Sequence, residues 1–141
     1  MNKSDPPTTF GVLKPVGHTL IAFHTKDELV AAVAAFTASG FKSDSMVQYS
    51  AEEMLALAEK QLANASPLAN FGYELDVLRG YKDLATKGGV FLIVNAPSEA
   101  EEERVSALLR TMNPVSAQHY GRILIRDLTE NPPGPTGSPP P

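Results

Sequence analysis

Apolar positions along the chain recur with two spacings. Thr19–Phe23 (TLIAF) and Val90–Val94 (VFLIV) are unbroken apolar runs, the pattern of strands buried on both faces. That pattern predicts two adjacent, parallel strands at the centre of a sheet. Met46–Tyr49 (MVQY) reads as a short strand, and Gln118–Leu128 (QHYGRILIRDL) as the last one, with Ile123 and Ile125 on one face. Elsewhere apolar residues return every three or four positions, the period of a helix with one buried stripe. Four stripes follow: Leu29, Val33 and Phe36 with Val30 beside them; Met54, Leu55, Leu57, Ala58 and Leu62; Leu75 and Leu78 with Tyr81 or Ala85; and Val105, Leu108, Leu109 and Met112.

The polar residues between these runs punctuate them. Thr25, Ser50 and Ser98 are each followed three positions later by a glutamate, namely Glu28, Glu53 and Glu101. This is the capping-box spacing, in which hydroxyl and carboxylate satisfy each other's backbone N–H groups at a helix start. Gly40 suits the left-handed position after the first helix. A turn containing Pro67 is expected over 64–70, then a third helix over 71–87, weakened at Gly80 and stopped by Gly88-Gly89. Asn113-Pro114 ends the fourth helix. Its first turns hold Glu99, Glu101, Glu102 and Glu103, which read as favourable charge at a helix N-terminus rather than as a cation site.

The chain repeats itself. A shift of about 72 residues puts Leu20 on Leu92, Val33 on Val105 and Phe36 on Leu108. With one residue of slippage Tyr49 falls on Tyr120. Each half is strand, capped helix, turn, strand. Two such units imply an α+β fold of the ferredoxin-like, split βαβ kind: a four-stranded antiparallel sheet in 4-1-3-2 order with two helices on one face. The segment 50–87 is then a two-helix insertion, free to cover the open face or to build a subunit interface. The domain layout is a flexible lead-in over 1–13, a single domain over 14–130, and the proline-rich tail NPPGPTGSPPP over 131–141, whose PxxP spacing reads as a solvated polyproline segment. Pro15 makes the stretch from Phe10 to Val16 an edge piece rather than a central strand.

Composition narrows the classes. With 141 residues, 43% hydrophobic and 20% charged, the chain holds one packed domain and not a disordered one. A net charge of −4 without a basic run argues against nucleic acid as a partner. No apolar run approaches the length of a membrane span, and the first residues lack a secretory h-region; a soluble, cytoplasmic protein is expected. Cysteine is absent, which removes disulfides, thiolate metal sites and a cysteine nucleophile together.

The stretches KPVGH (Lys14–His18), ANASPLANFGYEL (Ala63–Leu75) and QHYGRILIRDL (Gln118–Leu128) resemble an uncharacterised family of small bacterial proteins, loosely similar to the heat-induced general stress protein domains. The likeness runs from Lys14 to Leu128. It implies a ferredoxin-like core and a stress-associated role, and no catalytic residues.

No metal, nucleotide or hydrolase motif is present in the sequence, and no cofactor is expected. The three histidines, His18, His24 and His119, form no local ligand pair. If the last strand starts near Gln118 and runs antiparallel beside the first, His24, Asn95 and His119 gather at one end of the sheet with Tyr120 nearby. Arg122 and Arg126 alternate with Ile123 and Ile125, sharing an exposed face where they grip an anion or make surface ion pairs. Gly121 marks a bulge or a close backbone approach. The candidate ligand-binding set is therefore His24, Asn95, His119, Tyr120 and Arg122. Three functions fit. The first is a non-enzymatic, stress-associated protein acting by self-association, as a homodimer, or by partner binding. The second is a small-ligand binder or enzyme with a pocket between sheet and inserted helices, using His24 and His119. The third is a transition-metal protein using both histidines and a carboxylate.

Overall fold

A computed structural model describes residues 1–9, 12–65, 73–121 and 125–129 of the chain. In chain order the elements are β1 (Thr8–Thr9), β2 (Val12–Leu13), β3 (His18–Phe23), α1 (Lys26–Ala38), β4 (Met46–Tyr49), α2 (Ala51–Asn64), α3 (Tyr73–Thr86), β5 (Val90–Asn95), α4 (Glu99–Leu109), β6 (Ser116–Tyr120) and β7 (Ile125–Asp127). A single 3-10 turn, Ser43–Ser45, precedes β4.

All three expected capping boxes close. Thr25, Ser50 and Ser98 each accept from the N–H three residues on, and Glu28, Glu53 and Glu101 return the bond to the cap backbone. After α1 the chain turns at Gly40, whose φ of +101° lies in the left-handed region.

Five strands form the main sheet in the order β4-β5-β3-β6-β7, and every neighbouring pair is antiparallel. The two apolar runs are adjacent and central, as expected, but antiparallel and not parallel: Leu20 pairs with Ile93 and Phe23 with Val90. An unbroken apolar run reports burial on both faces and says nothing of direction. The repeat units supply the direction. β3 and β4 both run against β5, so the strands of one unit are parallel to each other with a strand of the other unit between them.

The sheet has five strands, not the four expected. The run from Gln118 to Leu128 is not one strand. It breaks at Gly121, and β7 folds back on β6 with Tyr120 opposite Ile125 and Gln118 opposite Asp127. A glycine inside a strand pattern marks a place where the ladder stops, and here it starts a hairpin. Ile123 and Arg122 lie outside the described residues.

Helices cover both faces. Ile21, Phe23, Leu92 and Val94 pack with Leu29, Phe36, Val105 and Leu109 of α1 and α4. Leu20, Ala22, Phe91 and Ile93 pack with Met54, Ala58, Leu78 and Tyr81 of the inserted helices α2 and α3. The insertion thus covers the second face within the monomer. The N-terminal residues, expected as a flexible lead-in, dock on these helices. Val12 and Leu13 are core residues, the Leu13 N–H donates to Gln61 Oε1 at 2.8 Å, and Lys14 Nζ sits 3.3 Å from Glu74 Oε2. Pairing between β1 and β2 turns this segment into a small ribbon rather than an edge piece of the sheet. Among the described residues no helix is long and apolar enough to cross a membrane.

Candidate functional site

The polar cluster with the most converging chemistry lies where β3 starts and β6 ends. Gly17 stitches this corner. Its N–H donates to the Tyr120 carbonyl and its carbonyl accepts from Ala96 N–H, both at 2.8 Å, so the ends of β5 and β6 are tied across the residue that precedes β3. Its φ is +81°, a backbone conformation that favours glycine.

Pairing of Thr19 with His119 brings their side chains together on the face covered by α4. Thr19 is fully buried and His119 is 6% exposed; the Thr19 hydroxyl lies 2.8 Å from His119 Nδ1. On the other side of the ring, His119 Nε2 is 3.8 Å from Glu102 Oε1. The second carboxylate oxygen of Glu102 accepts from Arg126 Nη2 of β7, which stands opposite His119 in the hairpin register. The carboxylate favours a proton on Nε2, which leaves Nδ1 to accept from the threonine hydroxyl.

Burial, first, and the neighbouring His18, second, push the His119 pKa below its ordinary value. Glu102 would favour the imidazolium, but its charge is already shared with Arg126, so desolvation wins. His18 is half-buried, with Nδ1 3.0 Å from the Val16 carbonyl, which fixes the ring proton on that nitrogen. Its pKa is also lowered, chiefly by burial. The corner therefore holds two neutral imidazoles near neutral pH.

The predicted residues do not all meet. His24 stands at the far end of β3, beside the start of α1: its N–H donates to Glu28 Oε1 at 2.9 Å, and its ring is mostly exposed, 3.6 Å from the same carboxylate. Five residues of extended chain separate it from Thr19, the partner of His119, roughly 17 Å at 3.3–3.4 Å per residue. The expected cluster assumed that His119 begins the last strand. The strand begins at Ser116, which moves His119 to the opposite end. Asn95 does share the corner, opposite His18, but on the other side of β3 from His119. Tyr120 is buried on the other face, toward α3: its hydroxyl lies 3.0 Å from that of Tyr81, and Tyr81 donates to Gln118 Oε1 at 3.1 Å. Arg122 lies outside the described residues. A metal site using His24 and His119 together is ruled out by this separation, and the described residues hold no cluster of three His, Cys, Asp or Glu.

Sequence reasoning passed over Thr19, His18 and Glu102. Glu102 left a signal. It lies three positions before Val105 and seven before Leu109, on the stripe that faces the sheet, and an acid on a buried stripe needs a partner.

Fold and corner together define an α+β protein with an antiparallel sheet between two helical layers. No family model, curated protein or solved structure matches the chain.

Proposed function

We propose that this is a non-enzymatic, cytoplasmic, ferredoxin-like protein that acts by association with protein surfaces, as a homodimer or with a partner, in a stress-associated role. The interleaving of the two βαβ units in the sheet supports the ferredoxin-like assignment, with β7 added at one edge.

The observation that carries the reading is the sealing of the Thr19–His119–Glu102 chain. Thr19 is wholly buried, His119 nearly so, and both oxygens of Glu102 are engaged. A general base needs reach to a substrate proton, and a nucleophile needs an open approach; this chain presents neither. It bridges α4, β3, β6 and β7, which is the work of a structural tie. The ligand-binding alternative places His24 and His119 between the sheet and the inserted helices. Neither lies in that layer: His119 faces α4 and His24 borders α1.

Native mass spectrometry of the full chain tests the proposal. The expected spectrum contains bare monomer and bare dimer, with the dimer fraction rising with concentration. A small molecule retained on a strictly monomeric chain would overturn it in favour of ligand binding.

A further inference from the structure

Glu102 is one carboxylate with two basic neighbours. Its Oε2 accepts from Arg126 Nη2 of β7, and its Oε1 lies 3.8 Å from His119 Nε2. While His119 is neutral, one positive charge meets one negative. A proton on His119 adds a second positive charge to the same carboxylate. The two neighbours differ in what else can hold their charge. The Arg126 side chain is 57% exposed, so water takes over at little cost. The His119 side chain is 8% exposed, and its other nitrogen meets only the uncharged Thr19 hydroxyl; a buried imidazolium needs a carboxylate. Among the described residues the other charged groups near this corner are engaged or turned away. Glu99 and Glu103 of α4 are exposed, Glu101 closes the Ser98 cap, and Asp127 Oδ1 accepts the Thr129 N–H. Arg104 donates to the Ser39 carbonyl. A charged His18, at the start of β3, opposes a proton on His119.

We infer that Arg126, Glu102 and His119 form a pH-sensitive latch on the edge strand β7: a proton on His119 draws Glu102 to the imidazolium and releases Arg126 to solvent.

The strand it holds is a short one. β7 has three residues, stands last in the sheet and pairs there with β6 alone. Of its three side chains only that of Ile125 is buried, and Arg126 ties it to α4. Elements with so few buried contacts open locally at little cost. Release of Arg126 leaves the ladder to β6 and the Ile125 anchor in place, so the consequence is easier local opening and not loss of the fold. The sign follows from the charges. In the released state Glu102 faces His119 alone, which favours the imidazolium; by linkage, a proton on His119 favours release by the same factor. Burial lowers the His119 pKa from 6.5 while the latch is closed. The latch is therefore closed near neutral pH and opens on acidification.

NMR of the full-length protein tests the latch. The chain has three histidines, so the His119 ring titration is read apart from those of His18 and His24. The reporter for β7 is the Leu128 N–H, which follows the strand and donates to the Ala117 carbonyl of β6 at 2.8 Å. As the pH falls through the His119 midpoint, exchange of this amide, corrected for its intrinsic pH dependence, is expected to rise about tenfold, the size of an ordinary coupling between sites. It should stay well faster than exchange at Ile21 and Leu92 of the central strands, which marks the opening as local. Arg126→Gln is expected to raise the His119 midpoint, because Glu102 is then left to the imidazole, and to abolish the step at Leu128. Glu102→Gln is expected to lower the midpoint. Position 126 is exposed, so Arg126→Gln reads the coupling even if Glu102→Gln folds poorly. A merely structural tie behaves differently: Arg126→Gln would then loosen Leu128 at every pH and leave the His119 midpoint where it was. That result overturns the latch. So does a step at Leu128 that follows the His18 midpoint, or one shared equally by Ile21 and Leu92.

Discussion

His119 shows how one side chain couples burial to pH. Its neutral ring is held by Thr19 from β3 and faces Glu102 of α4, Arg126 of β7 and His18 at the start of β3. Both His119 and His18 have pKa values lowered from 6.5 in the folded chain. The unfolded chain therefore binds more protons between the folded values and 6.5, and stability rises with pH across that window. The expected result is a fold at full stability above about pH 6.5 that weakens as the pH falls through the two folded values. Urea denaturation at a series of pH values checks it, and His119→Gln should flatten the profile. An equally steep profile in that variant would assign the effect to His18 and the carboxylates. Residue-scale legibility was uneven. The capping hydroxyls could be read from a three-residue spacing, because their partners are local. The pairing of Thr19 with His119 could not, because a register 100 positions apart leaves no local trace.

Helix starts are the elements most completely written in the sequence. Thr25, Ser50 and Ser98 each satisfy an otherwise unpaired N–H at the first turn. Replacing any one by alanine should cost about 1 kcal/mol. The three caps belong to separate helices, so the triple variant should lose roughly 3 kcal/mol if the sites are independent. Denaturant midpoints of the single and triple variants measure this, and a triple loss near that of one single would show that the caps are coupled. The last strand was harder. Gly121 was recognisable as an interruption, but a bulge and a hairpin begin with the same residue. The choice was made by a second partner: Tyr120 pairs with Ile125, and Arg126 reaches Glu102 on α4.

At the scale of the whole molecule the inserted helices act as a lid over one sheet face. Leu20, Ala22, Phe91 and Ile93 are all fully buried beneath them. Removing residues 50–87 would expose this face together with Tyr120, a contiguous apolar surface of the kind that drives association. The deletion product is expected to aggregate, as judged by light scattering and recovery in the soluble fraction. A soluble product with a cooperative thermal transition would show that the two βαβ units are self-sufficient.

The sequence by itself determined which segments are buried, where the helices begin, and that the chain is two copies of one strand–helix–strand plan. These properties are local: periodicity, capping chemistry and a 72-residue shift are visible without any partner. Only the tertiary structure decided that the central strands run antiparallel, that His24 and His119 lie at opposite ends of β3, and that Glu102 finds His119 and Arg126. Strand direction and register depend on which backbone groups meet across the sheet. A shift of a few residues in where β6 begins changes no local pattern and yet moves His119 from one end of the sheet to the other.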